Sequence, residues 1–311
     1  MAQLRGRLEQ QVAMARHVSW HAGGMASAAY WPADCDDLRE FVRRQPADAA
    51  LLLVGNGSNL LVRDGGFDGT VIFTAGLQKL QIELAPPAHG YRQVYAEAGV
   101  AATQLAKFAA ANGLTGLEFL AGIPGTVGGA LAMNAGCHGG ETWRYVDRVL
   151  MLTRGGELIE RAAGDFSVGY RHVGLKAASD EIFAAAWFRF PPGDAQAAAA
   201  RTRELLQRRV ATQPLALPNA GSVFRNPPGD HAARLIEAAG LKGARIGAAE
   251  VSEKHSNFIV NPGGAASAGA IEMLIGRIQA DVAEKFGVHL VREVRIVGDA
   301  DVRMGPGGEG A

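Results

Sequence analysis

Hydrophobic and polar positions alternate in short runs along most of the chain, and only a few stretches hold a helical period. Leu4, Leu8 and Val12, with Ala15, fall on one face of a helix predicted over residues 3–16. Ala28-Ala29-Tyr30-Trp31 reads as a strand stopped at Pro32. A helix through Leu38, Phe41 and Val42 follows, capped by Asp34 or Asp36. Leu51-Leu52-Leu53-Val54 is an apolar run bounded by glycine, hence a buried strand; it feeds Gly55-Asn56-Gly57-Ser58-Asn59 and a second strand, Leu60-Leu61-Val62. Further strands are expected at 71–73, 94–96, 149–152 and 182–188. Helices are expected from Thr103, near the cap, to Asn112 with Gly113 as the stop, from 195 to about 211, from 230 to 239 before Gly240, and from 267 to 286. In the last of these Ile271, Leu274, Ile275, Ile278 and Val282 keep helical spacing. Residues 290–298 alternate as a strand does, and the Gly-rich tail from Asp299 is expected to be disordered.

This order of elements is α+β, with no internal repeat. A chain of 311 residues is roughly two domains' worth. The turn-forming cluster Pro191-Pro192-Gly193-Asp194 is the expected boundary. Lys plus Arg (31) balances Asp plus Glu (31), so no net field draws the chain to nucleic acid or to an anionic membrane, and neither is an expected partner. An anionic ligand must be held by local chemistry. Cys35 and Cys137 stand about a hundred residues apart, which argues against a disulfide scaffold and a zinc site. His17 and His21 are spaced i, i+4, but the remaining histidines are scattered, and no metal is expected. The polar N-terminus lacks an apolar signal core, and no run of about 18 apolar residues occurs, so the cytoplasm is the expected location. Oligomeric state is not written in the sequence; a monomer is the simplest expectation.

Glycine changes the picture. Forty-one glycines are about 13% of the chain, against roughly 7% ordinarily, and they cluster. In Gly55-Asn56-Gly57-Ser58-Asn59, between two strands, successive N–H groups can make a concave nest for a diphosphate. Taken alone this is more often a hairpin loop. It is not a Rossmann fingerprint, and no Walker A motif occurs. The second segment, 122–140, holds seven glycines in nineteen residues. Within it Pro124 presets a turn after Gly122-Ile123 and before Gly125-Thr126. Gly128-Gly129-Ala130 is then expected to open a helix whose N-terminal amides face an anion. Asn134, Ala135 and Gly136 add a small-residue surface for a flat ring system.

Three polar features remain. Arg171, after Tyr170, offers a bidentate fork for a carboxylate, or is a surface charge. Ser222, in Asn219–Pro227, is a candidate proton donor near Asn226, or an ordinary turn serine; it is not a nucleophile elbow. Glu293, between Arg292 and Arg295, either points into a site or faces water.

Together GNGSNLLV (55–62), GIPGTVGGALAMNAG (122–136), GYR (169–171), NAGSVFRNP (219–227), AGLKGARIGAAEVSEKHSNFIVN (239–261) and EVRIVG (293–298) resemble the UDP-N-acetylenolpyruvoylglucosamine reductases, in order and from about Ser19 to Gly298. The resemblance implies a lead-in over 1–21, an FAD-binding domain of the vanillyl-alcohol-oxidase (PCMH) type over 22–193, a smaller α+β UDP-sugar domain over 194–298, and a flexible tail over 299–311. It implies that NADPH reduces FAD, and that the enolpyruvyl ether of UDP-N-acetylglucosamine then receives hydride at its methylene carbon to give UDP-N-acetylmuramate, a peptidoglycan precursor. Arg171 would stabilise the developing charge, Ser222 would protonate the neighbouring carbon, and Glu293 would assist. Gly55 to Asn59, Gly122 to Thr126, Gly128, Gly129 and Asn134 to Gly136 would hold FAD; Tyr170, Arg208, Gln213, Asn226 and His255 would line the substrate.

Two departures stand out. After Arg171 the chain reads His172-Val173-Gly174 where the family often has a residue and then serine. Only 51 positions separate Arg171 from Ser222, which matches the shorter subclass without the tyrosine loop. A flavin oxidase with the same cofactor fold and a non-catalytic nucleotide-sugar binder are the competing readings. The first would not need GSVFRNP, and the second would not need Arg171, Ser222 and Glu293.

Overall fold

A computed structural model of the chain describes residues 3–83, 90–177 and 180–300. Its strands are β1 (Arg7–Ala13), β2 (Met25–Trp31), β3 (Leu51–Val54), β4 (Leu60–Val62), β5 (Phe67–Phe73), β6 (Leu80–Ile82), β7 (Arg92–Glu97), β8 (Gly136–Cys137), β9 (Gly140–Glu141), β10 (Val146–Leu152), β11 (Leu158–Ala162), β12 (Phe166–Gly169), β13 (His172–Leu175), β14 (Ile182–Phe190), β15 (Arg245–Ile246), β16 (Ala249–Val251), β17 (Ile259–Val260) and β18 (Arg295–Val297). Its helices are α1 (Cys35–Arg43), α2 (Ala102–Ala111), α3 (Val127–Met133), α4 (Ala195–Thr212), α5 (Ala232–Ala238) and α6 (Ala268–Phe286).

Most expected elements are present, with three corrections. Residues 3–16 are not a helix but β1 followed by a short 3-10 turn, Met14–Arg16. Within β1 only Val12 is buried and Leu8 is half exposed, with Met14 buried in the turn that follows, so burial does not keep the helical spacing of Leu4, Leu8 and Val12. Thr103 does not cap α2; the cap position is Ala101, with no side-chain bond. The last strand is only Arg295–Val297. The expected disordered tail lies outside the described residues from position 301 on.

The chain packs as two compact units, residues 1–8, 30–56 and 71–211, and residues 9–29, 57–70 and 212–311. The first unit holds a five-stranded antiparallel sheet in the order β11-β10-β14-β7-β6. One face buries Val94, Ala96, Val149, Met151, Ala186 and Phe188 against α2 and α3 through Leu105, Ala109, Val127 and Leu131. On the other face Trp187 and Tyr95 lie under the Arg148 guanidinium (4.2 Å) and the Lys79 ammonium (5.5 Å). Being apolar on both faces, β14 carries the nearly unbroken run Ile-Phe-Ala-Ala-Ala-Trp-Phe. Helix α4 packs with this unit through Leu205 and Leu206, although residues from 194 on read in sequence as the opening of the second domain.

The second unit is built on α6. Ile271, Leu274, Ile275, Ile278 and Val282 enter a core with Trp20, Leu61, Phe224, Leu235 and Val251. Ser267 Oγ accepts from the Ala270 amide, and the Asp64 carboxylate accepts from the amides of Ala268 and Gly269 (3.0 and 2.7 Å), satisfying the donors of the first turn. Strand β4 pairs in parallel with β18, Leu60 opposite Arg295.

Asp37 organises one end of the first unit. It is buried, and its carboxylate accepts from the Tyr30 hydroxyl (2.6 Å) and the amides of Arg5 (2.8 Å) and Ala33 (2.9 Å). Burial pushes its pKa up, but these donors outweigh that and hold it below the ordinary carboxylate value. A depressed folded-state pKa contributes stability that is present above the unfolded value and lost as pH falls. Asp37→Ala is expected to lower the unfolding free energy by about 2–4 kcal/mol, because it strands a hydroxyl and two amides. Urea melts as a function of pH should show the difference from wild type shrinking below about pH 4.

Candidate active site

The second glycine segment enters the first unit through a 3-10 turn, Glu118–Gly122, and leads into α3. Its first-turn amides do not face outward as expected from the sequence. Val127 N donates to Val100 O (2.8 Å), Gly128 N to Ala98 O (2.9 Å) and Ala130 N to Thr126 O (2.9 Å), while Gly129 N reaches Thr126 Oγ1 (3.4 Å). The helix end is therefore tied to the protein, and an anion at this segment must be met by the residues before it.

The glycines divide by what a side chain would meet. At Gly55 a Cβ would strike the Thr126 side chain, and at Gly128 it would come within 2.9 Å of Ala98 Cβ, so both are glycine for close packing. Gly55, which opens the first glycine loop, therefore lies against Thr126 of the second segment. Gly57 has φ +60° and its Cβ would strike the chain at His17. Gly122 and Gly129 are different. Their backbones are ordinary, and a Cβ would meet nothing closer than 3.7 Å and 3.9 Å respectively. The protein does not itself require glycine at either position, but Gly122 is buried and Gly129 is exposed; at Gly129 a bare backbone open to close approach suits a flat, phosphate-bearing cofactor.

Asn134 ends α3 in the left-handed conformation (φ 42°) and is fully buried. Its Nδ2 donates to Glu141 Oε2 and to the Gly169 carbonyl (3.1 Å each), and its Oδ1 accepts from the Trp143 amide (3.1 Å). The side chain is thus a clamp within the unit, and it holds the β12–β13 hairpin at Gly169. Gly169 pairs with His172, leaving a two-residue turn, Tyr170-Arg171. Arg171 stands at φ 54°, where glycine or asparagine would be the undemanding choice. A strained position held by an arginine points to use of that side chain. Its guanidinium donates to the carbonyls of Gly136 (2.7 Å) and Asn134 (3.4 Å), so the cation is fixed to the end of the glycine segment.

On α4, Arg208 is exposed, whereas Arg209 is half-buried with its Cδ 3.8 Å from the Cβ position of Gly122. Burial lowers the Arg209 pKa from its ordinary value. Sequence reading took the neighbouring arginine; only the rotation of α4 against the glycine segment distinguishes them. Cys137 Sγ, also beside Gly122, bonds to the Phe119 carbonyl, and burial raises its pKa. Tyr170 is exposed at the hairpin tip.

Ser222 and Glu293 belong to the second unit, where adjoining segments bring them together. The Gly221 amide donates to Asn219 Oδ1 (3.0 Å) and the Val223 amide to the Asn257 carbonyl (2.9 Å), so Ser222 is held from both sides. Phe224 bridges to Arg292, and the amides of Glu293 and Val294 converge on the Val223 carbonyl (2.8 and 3.4 Å), a bulge in the backbone that carries Glu293. Asn257, which sequence reading did not single out, clamps this ladder: its Oδ1 accepts from Phe224 N (3.0 Å) and its Nδ2 donates to Phe224 O (2.8 Å). Asn226 Oδ1 accepts from Ala232 N at the start of α5. His255 Nδ1 accepts from the Asn257 amide, its ring packs edge-on against Phe258, and burial lowers its pKa. The Gln213 carbonyl accepts from the Leu215 amide. Among the described residues no group of three or more His, Cys, Asp or Glu is placed to hold a metal.

Residues 26–161 match the family model of an FAD binding domain, and residues 213–297 that of the C-terminal domain of UDP-N-acetylenolpyruvoylglucosamine reductase. The UDP-N-acetylenolpyruvoylglucosamine reductase of Thiobacillus denitrificans is 56% identical, over 95% of this chain and 94% of its own length. That of Alkalilimnicola ehrlichii is 56% identical, over 95% and 96%. The crystal structure of the Thermus caldophilus enzyme superposes with a TM-score of 0.78 at 31% identity, covering 94% of this chain and 99% of the other. An FAD-binding domain joined to that C-terminal domain, matched over nearly the full length of such relatives, makes this chain a member of the UDP-N-acetylenolpyruvoylglucosamine reductase family.

Proposed function

We propose that this chain reduces the enolpyruvyl ether of UDP-N-acetylglucosamine to UDP-N-acetylmuramate, with FAD as cofactor and NADPH as the reductant, for peptidoglycan precursor synthesis. Family membership supports the reaction. The observation that carries the site is Arg171: a cation in a left-handed turn, tied by two carbonyls to the end of a glycine segment whose Gly129 lies exposed and open to close approach. FAD, when bound, would supply hydride transfer from NADPH to the substrate, and Gly55 to Gly57, Gly122 to Thr126 and Gly129 are the residues we assign to hold it.

Hydride addition at the methylene carbon breaks the π bond and leaves negative charge on the neighbouring carbon, shared with its carboxylate. Arg171 meets that charge with a guanidinium already fixed, so little reorganisation is needed as the charge develops. Ser222, held between the Asn219 and Asn257 clamps, gives the proton that completes the second C–H bond. Glu293, on the adjoining segment, assists. Tyr170, Asn226, Arg208 and Gln213 are assigned to the substrate side, and Arg209 joins them. His255 is assigned to the substrate side as well, and its Nδ1 accepts from the Asn257 amide. We assign the FAD role to 22–193 and the UDP-sugar role to 194–298, and place the reaction in the cytoplasm, by a monomer. Both cysteines are free thiols, as a reducing compartment leaves them, and no described helix is long and apolar enough to cross a membrane.

Anaerobic stopped-flow absorbance separates the two half-reactions. NADPH should bleach the flavin, and the enolpyruvyl sugar should restore its colour. In Ser222→Ala the bleaching is expected within about twofold of wild type, while recovery slows by roughly 10²–10⁴; equal slowing of both steps would remove Ser222 as proton donor. Gly129→Ala separates fold from cofactor. The apo protein should be as stable as wild type or more so, by up to about 1 kcal/mol, because alanine favours the helix. Flavin affinity, titrated by fluorescence, should fall at least tenfold (an estimate for a blocked close approach); unchanged affinity would place the cofactor elsewhere.

A further inference from the structure

Asn59 closes the first glycine loop, a setting that marks it in sequence as a cofactor ligand. Its side chain is directed elsewhere. Nδ2 donates to the Glu293 carbonyl at 3.1 Å, and the Asn59 carbonyl accepts the Arg295 amide at 3.0 Å. The next residue, Leu60, begins β4 and pairs with Arg295. One residue therefore grips the segment 293–295 at two points, immediately before the parallel ladder starts.

The other backbone group of Glu293 is also committed, since its amide donates to the Val223 carbonyl at 2.8 Å. With N–H and C=O both held, the peptide planes on either side of the Glu293 Cα are fixed, and so is the direction of its Cβ. The residue type matters. An ionised aspartate has no proton to give, and alanine has no donor at all. Loss of the Asn59 amide would take a side-chain donor from the part-buried Glu293 carbonyl and loosen one of the two peptide planes.

We infer that Asn59 is a positioning residue for Glu293, acting on the reaction by holding the backbone that carries this carboxylate and not by contact with the cofactor. The inference rests on the reading of Glu293 as part of the catalytic group.

The test uses the full-length, FAD-loaded protein as wild type, Asn59→Ala, Asn59→Asp, Glu293→Gln and the double variant Asn59→Ala/Glu293→Gln. Flavin content and both anaerobic half-reactions are measured from pH 5 to 8. Expected in Asn59→Ala are retained flavin, bleaching by NADPH within about twofold of wild type, and recovery with the enolpyruvyl sugar slowed by about 10- to 100-fold, the scale of one lost hydrogen bond to a part-buried backbone group. Asn59→Asp, equal in shape, should be slow at pH 8 and gain rate toward pH 5 as its carboxyl takes up the proton it needs to donate. Wild type should lack that acid-side gain. In the Glu293→Gln background Asn59→Ala should still slow recovery, but by less than it does alone, because the two act as one unit. Loss of flavin or equal slowing of both half-reactions would make Asn59 a cofactor ligand and overturn the inference. Full additivity with Glu293→Gln would overturn it as well. Wild type that fails to recover colour with the enolpyruvyl sugar would overturn the parent reading itself, before any variant is compared.

Discussion

Buried backbone groups in irregular segments need partners, and here asparagine amides supply them. The segments that bear the candidate site are neither helix nor long strand, so their N–H and C=O groups have few ladder partners, and leaving them unpaired would be costly. Asn134 pairs groups of Trp143 and Gly169; Asn257 pairs both groups of Phe224; Asn261 donates to the Trp20 carbonyl and accepts from the Ala266 amide. A primary amide both donates and accepts, which lets one side chain serve two strands or two loops at once. The positions of Arg171 and Ser222 follow from these clamps: the first from a hairpin held at Gly169, the second from a ladder held at Phe224.

The same logic divides the glycines. Gly55 and Gly128 allow two parts of one unit to touch, whereas Gly129 leaves backbone uncovered although the protein has room for a methyl group. A family that binds FAD has reason to keep the second kind bare, and the first kind would be needed in any protein with these turns. Composition counts the two classes together. Only the space around each one separates them.

The legible parts of the sequence are those governed by local rules. Helix α6 shows its apolar period, Ser267 and Gly287 mark its ends, and β14 reads as a run too apolar for an exposed strand. Residues 3–16 mislead because Leu4, Leu8 and Val12 keep a helical spacing, while burial falls on Val12 and Met14. The motif residues Arg171, Ser222 and Glu293 are readable as chemistry, but their supports are not. Nothing near Asn257 in sequence announces that it binds Phe224, thirty-three positions away, and Asn59 looks like part of a phosphate loop because its partner lies 234 positions on. Arg208 and Arg209 differ only by a hundred degrees of helix rotation, which depends on what α4 packs against.

The pairing of β4 with β18 bears on the order in which the molecule can be made. Leu60 to Val62 emerge early in synthesis, yet their partners, Arg295 to Val297, lie close to the end of the described chain. The first compact unit has all its segments by residue 211, so it can close while the remainder is still being added. The second cannot: its earliest pieces, residues 9–29 and 57–70, must wait with an apolar strand unpaired until the final segment arrives. Long-range parallel pairing of this kind is slow to form. During that interval β4 presents an unpaired apolar edge, and a chain truncated before residue 295 keeps that edge.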